Sequence, residues 1–557
     1  MDSMIGIISR WKGIFVDDPH SYDDRIPDPP SGHSNETELR QKDLYTHPRQ
    51  MIVMAKYLDN ERPALSVNTS LHDSSTTLPQ EKSPRSLESS QTIIVDFDDN
   101  FLHPHAWPDS RRWSILILTL VITTLANVST TIVVPSLDVI SAELNMDPIS
   151  EGPMVMSSYV LTLAFGPLLV APFSELWGRV PLMQAGNIIY MGFNLACGFA
   201  TSRAQLLAFR VLAGLGSGAT PVVGIGMISD MFPTEKRGQS LAVLNMAFIL
   251  ATPIGAIVGG FTTSSASWRW DFYSTSMASA VLILLSFFIY KESYPPVLLQ
   301  RRKKQLLKAN GPSSGNLKTQ YDEDHPTIAA LYYKTLIRPL YFLATQPIIQ
   351  LLGLYVSFAY GMTYLIFGSF PALWEGRYHE AKTIASLHFI APGIGYLSGI
   401  MIGMFCADRT YRKLQRNSEE KKPEFRLPLL IISSTFIPGA LIWYGWSAEA
   451  HAHWAIPTIA ICFLMCGCTI LFQCVTAYSI DTFHIYAASA SGALFFVRGL
   501  CAFTFPLFGP TMYENIGFGW GNTLLGLLAL VIGVPVPLIL WKYGPRLRQR
   551  SVYAMSS

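Results

Sequence analysis

"SELWGRVPL", Ser174–Leu182, joins two apolar runs, "SSYVLTLAFGPLLVAPF" (157–173) and "MQAGNIIYMGFNLACGFA" (183–200). With their flanks, both runs reach the roughly 20 apolar residues that a helix needs to cross about 30 Å of hydrocarbon. The connector between them holds an acid and a base, Glu175 and Arg179, one helical turn apart. Two charges in so short a joint between greasy segments need a reason.

The rest of the chain shows the same texture. Of its 557 residues half are hydrophobic and only 14% are charged. A soluble domain carries about 25%. Beyond Trp113 the apolar runs recur at approximately 113–134, 153–173, 182–200, 205–228, 240–261, 270–290, 343–366, 383–405, 427–446, 454–477, 487–508 and 519–541. This reads as an all-α membrane protein with twelve transmembrane helices in two six-helix halves. Residues 111–290 form the first half and 341–541 the second. The polar stretch 291–340, with "QRRKKQLLKANGPSSGNLK" (300–318), is a central loop, and 542–557 is a C-terminal tail. Residues 1–110 are rich in Ser, Pro, Asp and Glu without a sustained apolar period, and are expected to be a disordered tail. No signal peptide is recognisable at the start.

Basic residues alternate from connector to connector. Arg111 and Arg112 precede the first run. The connector after it, "SLDVISAELNMDPISEG" (136–152), has four acids and no Lys or Arg. Arg179, Lys236, Arg237, the central loop, "DRTYRKLQRNSEEKKPEFR" (408–426) and "WKYGPRLRQR" (541–550) fall on the Arg111 side. The positive-inside rule therefore places both termini and the central loop in the cytoplasm. A six-plus-six chain implies two similar halves rocking about a site near the midplane.

"SELWGRVPL" resembles the loop signature of the major facilitator superfamily. In that signature an acid is followed four residues later by Arg, with Gly just before the Arg. Here these are Glu175, Gly178 and Arg179, with Glu where Asp is usual and Leu176 where a base is usual. "ATPIGAIVGG" (251–260) is similar to the antiporter signature, carried by Pro253, Gly255, Gly259 and Gly260, with Ala256 where Pro is usual. Small-residue packing with a proline kink explains the same residues. "FPTEKRG" (232–238), "WRWDFY" (268–273), "KESYPPVLLQRRKK" (291–304), "KPEFRLPL" (422–429), "YAASASGALFFVRG" (486–499) and "FPLFGPTMYENIGFGWGNTLLG" (505–526) resemble the fungal branch of twelve-span drug:proton antiporters. The resemblance covers roughly 94–550. It implies that Glu175 faces the N-terminus of span eleven, that Arg179 meets Asp230, and that this latch closes the inner side. It also makes Arg210, among the small residues of "AFRVLAGLGSGATPVVGIGMISD" (208–230), the Arg tied to proton coupling. Without the resemblance, Glu175 and Arg179 form a local pair worth ~0.3–0.5 kcal/mol.

Other charged groups in or near spans need partners. Asp481 is either solvated or part of a gate. Arg498 sits inside span eleven as a further candidate for proton coupling, with a partner that the sequence does not name. His388, in span eight, is either a hydrogen-bonded packing residue or a proton carrier. Asn127, Tyr159, Gln346, Gln350, Tyr360 and Tyr364 are candidates for the substrate cavity. Polar neutral groups among aromatics suit an amphipathic organic molecule.

The leading expectation is a proton-coupled exporter of a small, mostly hydrophobic organic compound. A polyamine or nutrient carrier and a non-transporting sensor are the alternatives. Zinc-ligand pairs, a nucleophile elbow and a phosphate loop are not found, so an enzyme is not expected. The seven cysteines behave as small hydrophobes, and no metal site is expected. Expected partners are a small-molecule substrate and the bilayer, without nucleic acid, in a monomer. No cofactor is expected, the proton gradient being the energy source. The expected location is the plasma membrane, with the vacuolar membrane as the alternative.

Overall fold

In hydrocarbon a backbone N–H has no water to bond, so a spanning segment must satisfy itself as a helix. The computed structural model follows that rule. It describes residues 93–97, 103–310, 317–319, 333–416, 422–483, 486–551 and 553–554, all within one compact unit, Ser90–Ser557. Nine helices among the described residues are long and apolar enough to cross a membrane.

One of the nine, Ser489–Arg550, is 62 residues long. At about 1.5 Å per residue it would be some 93 Å long, three times the hydrocarbon thickness. It is two crossings, bent at Gly517, where φ is 74°. Two further helices, Met154–Trp177 and Arg179–Gly198, pack among the others and complete a twelve-span arrangement. The spans are, in order, Asp109–Glu143, Met154–Trp177, Arg179–Gly198, Arg203–Met231, Thr234–Ser265, Arg269–Ile289, Pro347–Gly368, Lys382–Arg416, Leu427–Glu449, Ala455–Phe483, 487–516 and 518–550.

The packing repeats with a period of six spans, and glycines mark the places. In the first half Gly255 of span five meets Thr131 of span one. In the second, Gly361 of span seven meets Phe505 of span eleven. Gly214 of span four abuts Thr162 of span two, and Gly395 of span eight abuts Cys462 of span ten. Gly198 of span three lies on Tyr273 of span six, and Gly445 of span nine lies on Asn522 of span twelve. Small residues let helix backbones approach where lipid provides no hydrophobic drive between helices. The same pairings in both halves make an internal structural repeat.

Helix ends define two faces. The near face carries the Gly178 turn, the helix Pro295–Asn310 and the end of span twelve; the far face carries the turns after spans one, three and seven. The halves touch toward both faces. On the near side Phe165 of span two sets its ring against Phe496 of span eleven at 5.0 Å, and Gly499 fits Ala164. On the far side Gly393 of span eight faces Pro253 of span five, and Gly260 faces Ser386. Lys382 donates across the halves to the Pro135 carbonyl at 3.3 Å.

One expectation is corrected at its edge. The tail was expected to be featureless to about residue 110. Instead, Ile93–Val95 pairs in parallel with Leu317–Thr319 of the central loop, and Pro104–Ala106 forms one helical turn before span one. The run "IIV" is β-branched and suited to a strand, but three residues are too few to stand out in sequence. Residues 1–92 and 98–102 lie outside the described residues.

Candidate functional site

The turn at 174–182 is built around Gly178. Its φ of 99° and ψ of 170° lie outside what a side chain adopts easily, and they let one helix end and the next begin without a spacer. A Cβ there would meet the Glu292 carboxylate, with Cδ at 2.7 Å. That carboxylate accepts from the backbone N–H of Arg179 at 2.9 Å and of Val180 at 3.3 Å. It thus caps the N-terminus of span three, where the helix dipole favours negative charge. Glu292 belongs to "KESYPP", just after span six, and also accepts from its own neighbours Ser293 and Tyr294.

The Arg179 side chain is held from three directions. Nε donates to Asp230 Oδ2 at 3.0 Å, Nη1 donates to Ser174 Oγ at 2.7 Å, and the guanidinium lies over the Tyr294 ring at 4.5 Å. Asp230 also accepts from Ser293 Oγ at 3.4 Å. Both charged side chains are mostly buried. One cluster therefore ties the ends of spans two, three, four and six. The side chain of Glu175, expected to face span eleven, lies outside the described residues. Nothing in the sequence flagged Glu292, because its partner is 113 residues away.

Arg210 is fully buried in span four. Nε donates to the Val155 carbonyl and Nη2 to the Ser129 carbonyl, both at 2.9 Å, and the guanidinium stacks on Tyr159 at 4.4 Å. Nη1 has no hydrogen-bond partner among the described residues. Tyr159 in turn donates to the Ala126 carbonyl at 2.7 Å. The cation is positioned by carbonyls and rings, not by an acid.

Arg498 is half-buried in span eleven and lies between two rings, Tyr360 at 4.3 Å and Phe495 at 4.1 Å. Tyr360 packs against Tyr364 at 5.1 Å and Phe472 at 5.6 Å. Asp481 is placed elsewhere, at the near end of span ten, where it accepts from Arg426 Nε at 3.0 Å.

The remaining candidates separate by position. Asn127 is buried, and its amide donates to the Thr123 carbonyl in its own helix. Gln346 and Gln350 do not join the aromatic cluster. Gln346 flanks the start of span seven and accepts from Ser551, while Gln350 donates to the Leu343 and Ala344 carbonyls. Both finish a helix junction at the near end, a role that residue type alone does not distinguish from cavity lining. Gly255 and Gly259 pack on span one, against Thr131 and Ile132, and Gly260 packs on span eight.

His388 lies at the far end of span eight. One ring nitrogen is 2.9 Å from Glu380 and the other 3.0 Å from Thr458 Oγ1, and the ring stacks on Trp374 at 3.6 Å. Nearby, Glu375 pairs with Lys382 at 3.6 Å. Burial pushes the Glu375 carboxyl above its usual range; Lys382 draws it back and Asp138 pushes it further. Arg548 and Glu424, at the near face, form a buried two-bond pair at 3.1 and 3.0 Å that the sequence did not reveal. No His/Cys/Asp/Glu cluster among the described residues has the makings of a metal site.

Comparison with known proteins agrees with this architecture. The family model of the Major Facilitator Superfamily matches residues 119–506. An uncharacterised transporter of Schizosaccharomyces pombe is 38% identical over 81% of this chain and 91% of its own length. The efflux pump vrtL of Penicillium aethiopicum is 36% identical over 85% of this chain and 97% of its own. Among solved structures, the xylose transporter XylE from E. coli, in a partially occluded inward-open conformation, gives a TM-score of 0.57 at 16% identity. That match covers 78% of this chain and 98% of the other, and carries the fold alone. The repeat of six spans, the Gly178–Arg179 turn and these relatives agree: the chain is a membrane transporter, not an enzyme, and belongs to the major facilitator superfamily, in the branch of the fungal efflux pumps.

Proposed function

We propose that this transporter exports a small, mostly hydrophobic organic compound, such as a toxin, secondary metabolite or antifungal, in exchange for protons by alternating access. The observation that carries the reading is the Arg179–Asp230–Glu292 cluster. It ties four span ends of the first half together on one face of a two-half bundle, so that this half can rock as one body against the other. The efflux-pump names of relatives such as vrtL support the outward direction.

Loop charges support a cytoplasmic near face and termini, with the plasma membrane as the site of action and the vacuolar membrane as the alternative. Arg210 is the group through which a proton on one side is sensed by the first half. Its desolvated charge has no ion-pair partner among the described residues, so it responds to any change in the charge beside it.

The test is accumulation of a panel of hydrophobic toxins and antifungals in inside-out vesicles, with and without an acid lumen. Gradient-dependent uptake of at least one compound, abolished by a protonophore, is the expected result. Uptake of every transported compound at the same level without a gradient would refute proton coupling.

A further inference from the structure

Charge in the membrane interior is costly unless something neutralises it. Deep acids usually supply that in a carrier for cations. Here the arrangement is inverted. Arg498 has two aromatic rings and no carboxylate partner among the described residues. Arg210 has two carbonyls, the Tyr159 and Phe272 rings, and one nitrogen without a hydrogen-bond partner among the described residues. Among the described residues the acids paired to a base sit at helix ends or in connectors, Asp109, Asp230, Glu424 and Asp481 at the near face and Glu143, Glu151, Glu375, Glu380 and Glu449 at the far face. The buried Asp271 sits in the first turn of span six, so none of these acids lies beside Arg498 or Arg210 as an ion-pair partner.

Span two lies beside both arginines, on different faces. Arg498 adjoins Gly499, which fits Ala164 of span two, and Arg210 stacks on Tyr159 of the same span. Five residues separate Tyr159 from Ala164, a rise of about 7.5 Å. The two cations are thus offset by little in depth along one helix that both halves touch.

Resting on the export reading, we propose that the substrate is a flat aromatic organic anion, and that Arg498 is its charge-recognising residue. A guanidinium between two rings is a planar donor fork with an apolar margin. A carboxylate, sulfonate or enolate on an aromatic scaffold supplies what it lacks: acceptor oxygens for its N–H groups, and a flat face for Tyr360 and Phe495. The neighbouring Tyr364 and Phe472 extend that apolar wall. A polyamine meets the opposite field and is repelled.

The experiment compares two probes of nearly the same shape, the anionic pyrene-1-sulfonate and the neutral pyrene-1-sulfonamide. Binding to the purified transporter is read by pyrene fluorescence. The wild type is expected to hold the sulfonate at least ~10-fold more tightly than the sulfonamide, the scale of a hydrogen bond to a charged group. Arg498→Gln removes the preference while leaving sulfonamide affinity within about twofold, and Arg498→Lys restores part of it. Retained sulfonamide binding shows that Arg498→Gln is folded. Equal affinities in the wild type, no binding of either probe, or an undiminished preference in Arg498→Gln overturns the proposal. Vesicle flux separates this from the export reading. Sulfonate binding without gradient-driven movement of any compound leaves the anion site standing and defeats export. Gradient-driven movement of sulfonamide at the sulfonate's rate does the reverse.

Discussion

Arg179 meets Asp230 across 51 positions of sequence, Nε to Oδ2 at 3.0 Å, while its own backbone N–H rests on Glu292. One residue thus serves as a helix start and as an ionic tie. Arg179→Ala leaves Asp230 mostly buried without its base, a loss of about 1–3 kcal/mol for the cluster that ties the first half's span ends. The variant is expected to reach the membrane folded and to transport about 5- to 100-fold more slowly. Flux per unit of purified protein in proteoliposomes measures this. A double-mutant cycle with Asp230→Ala should show coupling of about 0.5–3 kcal/mol.

Gly178 holds a φ of 99° with the Glu292 carboxylate where a Cβ would stand. Gly178→Ala is therefore expected to cost ~1–3 kcal/mol through backbone strain, with further loss from displacing Glu292. Glu292→Gln keeps the shape and loses the charge, so it should cost less. Thermal unfolding of the purified variants ranks them.

Arg210 uses separate nitrogens for the Val155 and Ser129 carbonyls and its flat face for Tyr159. A lysine has one nitrogen and no flat face. Arg210→Lys is expected to fold, yet lose at least 10-fold in gradient-driven transport, keeping substrate exchange without a gradient. Exchange and gradient-driven uptake measured on one preparation separate the two effects.

Glu375 gives a pH dependence with a definite sign. Burial raises its folded value above the ordinary 4.5. Between the ordinary and the raised value the folded state binds more protons than the unfolded state, so stability falls as pH rises through that window. Above the raised value the dependence ends. Glu375→Gln should remove this fall, so that the wild type loses melting temperature relative to the variant as pH rises above 4.5, and a wild type that gains relative to the variant in this window is the contrary result.

The sequence carried the frame of this structure further than its details. Twelve apolar runs gave the spans because hydrocarbon thickness fixes their length. The Arg179–Asp230 tie was expected through a family resemblance. Glu292, the Arg548–Glu424 pair and the His388–Glu380 contact were not seen. Each depends on which side chain folding brings opposite, or on rotamer direction, and no local period encodes that. Gln346 and Gln350 show what residue type leaves open: their amides meet backbone carbonyls and Ser551 at a helix junction, and Gln350 also lines a cavity with Pro347, Leu351 and Tyr543. Arg498 was flagged as needing a partner, and the structure supplies two rings in place of an acid.

Proton-coupled export is tested most directly in proteoliposomes with an acid, weakly buffered lumen and a trapped pH dye, using a compound that the vesicle panel shows to be transported. Adding it outside should make the lumen alkaline as protons leave in exchange, in step with uptake, and Arg210→Lys should uncouple the two. Uptake of the compound with no change in lumenal pH would contradict the account.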